Sequence, residues 1–206
     1  MKCKSCVKIS NENVVSTKLS VTYKSQEYKS YSGDIVIPDI VTIGNREYTV
    51  VSIGYEAFRN CKLLTSIKLP STIRLISDYA FWSCLSLETI TIPSSVTAIG
   101  KYAFDHCSAL TNVIIEDSDT SLELNSNTRS WSIGSRDKEV GQFCNCPIDS
   151  VYIGRNIYTY NGFYGYSYAP FKGEVKITFG EKVTSTPIYL VTYYSRPRSI
   201  TMLGKT

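Results

Sequence analysis

A chain of 206 residues is long enough to bury roughly 70% of the surface its unfolded form exposes, so neither disulfides nor metals are needed to hold it together. Its 22 Lys+Arg against 18 Asp+Glu leave a net charge of +4, too thinly spread beyond a few N-terminal lysines for a nucleic-acid-binding protein. No apolar run approaches the ~18 residues that span a bilayer, and MKCKSCVKISNENVV lacks the apolar core of a secretory signal, so we expect a soluble chain without membrane insertion, either mature, trimmed or cytoplasmic.

From the N-terminus, Cys3 and Cys6 form a C-x-x-C pair, which elsewhere marks a redox or zinc half-site, but no second half follows at zinc-finger spacing. VSTKLSVTYK and GDIVIP (Gly33 to Pro38) read as extended segments. VTIGNREYTV carries Gly44–Asn45 between extended residues, a two-residue hairpin signal. Residues 1–50 are therefore expected to form a β-rich cap with a hairpin, covering the end of a repeat array that would otherwise expose core and sheet edge.

The array starts at Ile53. IGYEAFRNCKLLTSIKLPSTIRL, ISDYAFWSCLSLETITIPSSVTA from Ile76 and IGKYAFDHCSALTNVIIEDSDTS from Ile99 align without a gap at a period of 23 residues. The columns are Ile53/Ile76/Ile99, Ala57/Ala80/Ala103, Phe58/Phe81/Phe104, Cys61/Cys84/Cys107, Leu64/Leu87/Leu110, Ile67/Ile90/Val113 and Leu69/Ile92/Ile115, with Pro70/Pro93 until Glu116 breaks the series. Within a unit, Ile67 and Leu69 alternate with Ser66 and Lys68 as in a half-buried strand. Ala57, Phe58 and Cys61 are spaced as on one face of a short helical turn, and a second short extended piece, with Ile73 and Ile76 inward, leads to the next unit. No single unit can bury its apolar edge, but stacked on its neighbours it can.

The pattern I-G-x-x-A-F-x-x-C-x-x-L-x-x-I-x-I-P over Ile53–Pro70, Ile76–Pro93 and Ile99–Ile115 resembles the BspA-like leucine-rich repeats of bacterial surface antigens. The undisturbed match covers about a third of the chain, residues 50 to 117. The resemblance implies an α/β fold: a right-handed leucine-rich repeat solenoid of ~23-residue coils, with a parallel sheet on one face and short helical or irregular turns on the other. It also implies a cell-surface or secreted protein that binds host or bacterial partners.

Further along, the solenoid expected over residues 51–206 is interrupted near 117–142 by a stretch rich in Ser, Asn, Asp and Arg that contains Trp131. QFCNCPIDSVYIG reads as a shortened unit, with Phe143, Cys146, Ile148, Val151 and Ile153 in the columns and one residue missing. In YAPFKGEVKITFGEKVTS, Ala169 and Phe171 resemble the Ala-Phe pair, although Pro170 puts a helical turn there in question. SITML (Ser199 to Leu203) reads as a last strand with no cap after it, which suggests a longer natural protein or end-to-end contact through an open coil.

Little in the chain points to catalysis. Cys61, Cys84 and Cys107 recur in one inward column with no base or ligand set beside them, so they are expected to be packed free thiols. A stacked column would hold its sulfurs parallel, which suits a disulfide poorly. His106, the only histidine, lies next to Cys107 in sequence, and neighbours on a helical turn diverge, so it should face solvent. With no Gly-rich phosphate loop, no G-x-S-x-G and no paired carboxylates, the chain is expected to be non-enzymatic and to need no cofactor. Binding candidates are the outward sheet residues Ser66, Lys68, Thr89, Thr91, Asn112 and Ile114, and the run IYTYNGFYGYSYAPF with Tyr158, Tyr160, Tyr164, Tyr166 and Tyr168. The first would form a broad flat surface for a protein or glycan. The second has the composition of an adaptable contact surface, or of a coil whose aromatics cover the core. A scaffolding array with no ligand of its own and a small enzyme with an unrecognised site are the alternatives.

Overall fold

The computed structural model describes residues 18–22, 31–124, 141–159, 171, 174–185 and 197–203. Its elements are all strands: β1 (Lys18–Val21), β2 (Ser32–Val36), β3 (Ile40–Ile43), β4 (Arg46–Ile53), β5 (Leu63–Lys68), β6 (Leu75–Ile76), β7 (Thr89–Ile92), β8 (Ala98–Ile99), β9 (Asn112–Ile115), β10 (Leu122–Leu124), β11 (Ser150–Ile153), β12 (Ile157–Thr159), β13 (Lys176–Phe179) and β14 (Ser199–Met202). From β4 to β13 the strands alternate between two sides of the coil, pairing parallel with their counterparts in neighbouring coils. One sheet runs β7-β9-β11-β13-β14, with the ladder of β2 and β5 beside β7. The other runs β1-β4-β6-β8-β10-β12. The solenoid therefore has two sheet sides where one was expected, because the short extended piece after each proline hydrogen-bonds to its counterparts above and below.

Register converts the sequence period into columns. Ile90, Val113, Val151, Ile177 and Ile200 are aligned across the first sheet, and Ile53, Ile76, Ile99 and Leu124 across the second. Apart from Ile200, these side chains are buried. The coil length varies where the insertion lies. Leu75 pairs with Ala98 at the regular period, but Ala98 pairs with Glu123, two residues further than that period, and Asn112 pairs across the insertion with Ser150. The period of 23 returns at the end, where Lys176 pairs with Ser199.

The N-terminal residues follow the path of a coil. β1 pairs parallel with β4, β2 pairs parallel with β5, and Tyr31 lies in between, its ring 4.8 Å from that of Phe58. The hairpin at Gly44–Asn45 is present: β3 and β4 pair antiparallel with Ile43 opposite Arg46, and Gly44 takes the φ of 59° that such a turn demands.

The expected helical turn is absent among the described residues. From Glu56 to Cys61, alternate N–H groups point in different directions. Those of Glu56, Phe58 and Asn60 donate to Asp78, Ala80 and Trp82 of the next coil at 3.2, 2.7 and 2.8 Å, while those of Ala57, Arg59 and Cys61 close tight bonds to Gly54, Glu56 and Phe58 within the coil. A helix would turn every N–H back along its own axis. The stacked turn instead spends half of them on its neighbour, and it does so by placing Glu56, Tyr79 and Tyr102, and Asn60, Ser83, His106 and Asn145, in the left-handed region, with φ between 53° and 60°. Each non-glycine residue there costs roughly 1–2 kcal/mol, offset by the inter-coil hydrogen bond that the geometry permits.

Candidate functional site

The core is built to stack. Phe58, Phe81, Phe104 and Phe143 lie parallel, with centroids 5.0, 4.9 and 5.0 Å apart and planes within 4°. Phe171 continues the ladder at 5.2 Å. Beside it, the thiols of Cys84, Cys107 and Cys146 donate to the carbonyls of Phe58, Phe81 and Phe104 at 3.1, 3.2 and 2.9 Å. The carbonyl of Phe58 thus accepts from the Cys61 N–H of its own coil and from the Cys84 thiol of the next. That is a physical reason for cysteine in this column, since alanine would lack the donor and serine would be more polar than the site.

Cys61, Cys84, Cys107 and Cys146 are free thiols, and all four are buried. Burial pushes the Cys61 thiol up to about 11. Burial also raises Cys107, and Cys146 is raised first by its contact with Cys107 and then by burial. Such thiols are poor nucleophiles at neutral pH. Cys3 and Cys6 lie outside the described residues.

His106 is exposed, as expected, but through its left-handed backbone, not through a helical turn. Its Nδ1 lies 2.9 Å from Asp105, whose carboxylate also accepts from the Trp82 indole and the Asn145 amide. This carboxylate is a tie between adjacent turns. Among the described residues, no group of three or more His, Cys, Asp or Glu side chains is arranged to hold a metal ion. No helix of the described residues is long and apolar enough to cross a membrane.

The first sheet brings its six candidates together. Thr89 and Thr91 on β7 and Asn112 and Ile114 on β9 are paired in register and form two outward rows, and Ser66 and Lys68 on the neighbouring β5 alternate with buried residues in the same way; Thr91 and Asn112 are half-buried and the rest exposed. The rows extend beyond them: Ser150 and Tyr152, Lys176 and Thr178, and Ser199 and Thr201 occupy the same registers on β11, β13 and β14, and Asp34 and Val36 do so on β2. The sequence signal for these residues is weak, because Ser150 lies 38 residues after Asn112 and Lys176 lies 26 after Ser150, so the 23-residue period does not carry the rows to them.

Neighbouring rungs are cross-linked. Asp34 accepts from Thr65 and Ser66 at 2.8 and 2.6 Å, Asn112 accepts from Ser150 at 2.6 Å, and Tyr152 donates to Asp117. The hydroxyls of Ser66 and Thr65 hold the Asp34 carboxyl below its ordinary range. At the far end, Asp149 is held low by Arg198, with Lys176 adding to the effect. The face is thus an ordered polar lattice at strand spacing, about 4.8 Å per rung.

Tyr158, the described candidate of the tyrosine run, does not join it. Tyr158 lies on β12 of the second sheet, exposed, with its hydroxyl 3.2 Å from Glu123. Tyr160, Tyr164, Tyr166 and Tyr168 lie outside the described residues, as does most of the polar insertion. The second sheet also carries an open depression of about 550 Å3, flanked by Lys18 and Arg74 and lined by the hydroxyls of Ser71 and Thr72 with Leu75 below. Its lining contains no carboxylate, histidine or cysteine.

One buried charge had no counterpart in the sequence reading. Arg155, fully buried just after β11, donates from Nη1 to the carbonyls of Ser94 and Val96 at 2.8 and 2.7 Å and from Nη2 to that of Pro93 at 2.7 Å. These carbonyls belong to the proline turn that follows β7, about sixty residues earlier in the chain. Desolvation lowers its pKa, with Glu116 opposing.

Residues 39–135 match the family model of the BspA type leucine rich repeat region, in six copies. This segment carries BspA-type leucine-rich repeats. No curated protein is matched. Among solved structures, a T. pallidum leucine rich repeat protein is 17% identical, covering 90% of this chain and 78% of that one at a TM-score of 0.47. A leucine-rich repeat protein from Bacteroides ovatus is also 17% identical, covering 94% and 74% at a TM-score of 0.35. A leucine rich cell surface protein from Faecalibacterium prausnitzii is 22% identical over 79% of this chain and 50% of that one, at a TM-score of 0.39. The BspA-type family supports a protein-interaction repeat module as the class of activity.

Proposed function

We propose that the chain is a non-enzymatic interaction module of the bacterial cell surface, an adhesin-like protein that binds a host or bacterial protein or glycan through the outward rows of the first sheet. The observation that carries this reading is the flat double row centred on Ser66, Lys68, Thr89, Thr91, Asn112 and Ile114, held in fixed register by a core that uses its cysteines and aromatics for packing. A rigid, polar, regularly spaced face contacts a large partner without prior ordering, so the entropic cost of binding is small. The surface location is supported by the BspA-type match. Tyr158 on β12, which lies on the other sheet, is a second candidate for binding.

The test is retrieval of partners from host surface and matrix proteins and from a glycan array, followed by titration with a Lys68→Glu, Thr91→Glu double variant. A loss of affinity of about tenfold or more, some 1.4 kcal/mol, is expected. If nothing is retained at micromolar concentration, or if the double variant binds as tightly as the parent, the reading is wrong.

A further inference from the structure

Among the described residues, the outward rows of the first sheet carry a single aromatic ring, that of Tyr152 on β11. Its neighbours in the row are Ile114 on β9 and Thr178 on β13. The ring does not stand off the sheet. A methyl group on Gly180, which follows β13 one strand over, would lie 2.4 Å from the Tyr152 Oη and 3.0 Å from its Cζ. Only a residue without a side chain leaves that seat open. The hydroxyl is fixed there by donating to both oxygens of Asp117, at 2.9 and 3.0 Å. Asp117 is itself brought close by a second glycine, since a methyl group on Gly154 would lie 2.5 Å from the Asp117 backbone nitrogen.

The ring is therefore laid along the sheet, one face down over Gly180 and the other turned to solvent beside Ile114, which is 38% exposed. The core does not require this arrangement, because Val151 and Ile153 on either side of Tyr152 already fill the buried columns. The charges around it have one sign in excess. Segments 116–119 and 181–182 bring four exposed carboxylates, those of Glu116, Asp117, Asp119 and Glu181, against Lys182, which is paired with Asp119 at 2.8 Å.

We propose that the Tyr152 ring is the platform of a carbohydrate subsite, and that the ligand of the first sheet is a glycan containing a neutral pyranose. This inference rests on the reading of the first sheet as the binding face and selects a glycan over a protein as its ligand. One face of a pyranose presents C–H groups, which are attracted to the negative face of an aromatic ring. Its rim presents hydroxyls, for which the Asp117 carboxylate has acceptor sites left beside the phenol and Thr178 has a hydroxyl of its own. A sialylated or sulfated sugar would instead be repelled by the surrounding carboxylates. A protein partner is less suited, because the rows otherwise offer hydroxyls, amides and lysines without the clustered aromatic and arginine anchors that carry protein interfaces. An oligosaccharide laid across the rungs from Tyr152 meets Ile114 and then Thr91, at about 4.8 Å per rung.

The experiment is binding of the full chain to an array of neutral oligosaccharides of glucose, galactose and N-acetylglucosamine beside their sialylated and sulfated counterparts, followed by titration with the best neutral oligosaccharide. Neutral sugars should be retained and their acidic counterparts bound more weakly. Tyr152→Ala should keep the circular dichroism of the parent and lower the affinity by about tenfold or more. Gly180→Ala, which pushes the phenol off its seat and leaves the ring itself in place, should also weaken binding, by a smaller factor. A glycan bound as tightly by Tyr152→Ala as by the parent, tighter binding of the acidic sugars, or a protein retained through Lys68 and Thr91 with no glycan retained would each overturn this inference and leave the binding face standing. Retention of no ligand of either class would overturn the binding face and this inference with it.

Discussion

The coils from Ile53 to Ile115 and those from Phe143 to Phe179 share their columns but not their turns. In the first region each column repeats nearly the same residue, and each turn is satisfied by an identical turn above it. In the second, Phe143, Cys146, Val151 and Ile153 keep the core continuous while the proline turn is replaced by Gly154 and Arg155, and a buried guanidinium supplies donors that a regular coil would not need. The difference teaches that the core columns accept only apolar exchanges, such as Ile153 to Phe179, whereas the connections vary more freely as long as buried carbonyls find donors.

The comparison is broken most severely where the two regions meet. Phe104→Ala removes the rung between Phe81 and Phe143 and should cost about 3–5 kcal/mol, as buried Phe truncations do, read from the denaturant midpoint. A loss below about 1 kcal/mol would mean that the ladder is not continuous there. Arg155→Met keeps much of the side-chain volume but strands the carbonyls of Pro93, Ser94 and Val96, so a loss of about 3 kcal/mol is expected, with hydrogen exchange accelerated at residues 94–98 rather than uniformly. Cys84→Gly, within the regular region, should cost about 1–3 kcal/mol through a cavity, the lost thiol donor and added backbone entropy. An unchanged midpoint would contradict burial of that side chain.

The smallest effect concerns pH. Asp149 near the last coils and Asp34 near the first are both held below the ordinary value of 3.8, by Arg198 and by the Ser66 and Thr65 hydroxyls respectively. A depressed carboxyl stabilises the fold above its ordinary value, and that contribution is lost as pH falls through the lower, folded value. Denaturant midpoints should therefore drop on acidification below about pH 4, and less steeply in Asp149→Asn and Asp34→Asn. Equal slopes in parent and variants would contradict the assignment.

Much of this architecture was legible because a solenoid repeats its packing at a fixed interval: one period of 23 residues placed Ala57, Phe58, Cys61, Ile67 and Leu69 and their equivalents in the buried columns, and the unit at Phe143 could be followed despite its missing residue. What was not legible depends on neighbours that no local pattern names. The Ala-Phe segment has the spacing of a helical turn, yet hydrogen bonds to the next coil make it an extended stack with left-handed residues, some as bulky as Tyr79 and Tyr102. Two-residue pieces such as Leu75–Ile76 are too short to announce a sheet, and form one only because each has a counterpart on either side. Tyr31 escaped notice because only four residues separate it from Ile35, against nine between Phe58 and Ile67. Arg155 escaped because its partners lie about sixty residues away. On the candidate site, the register identified Ser66, Lys68 and Thr89 as outward, but the polar cross-links that order the face depend on which rung lies beside which.

The most direct test of the account is residue-by-residue alkylation, read by mass spectrometry, of native and denatured protein at neutral pH. Stacked coils with a buried thiol column predict that Cys61, Cys84, Cys107 and Cys146 are protected in the native chain and that all four are modified once it is unfolded. A disulfide between any two of them, or rapid modification of any of them in the native state, would contradict the column on which the arrangement rests.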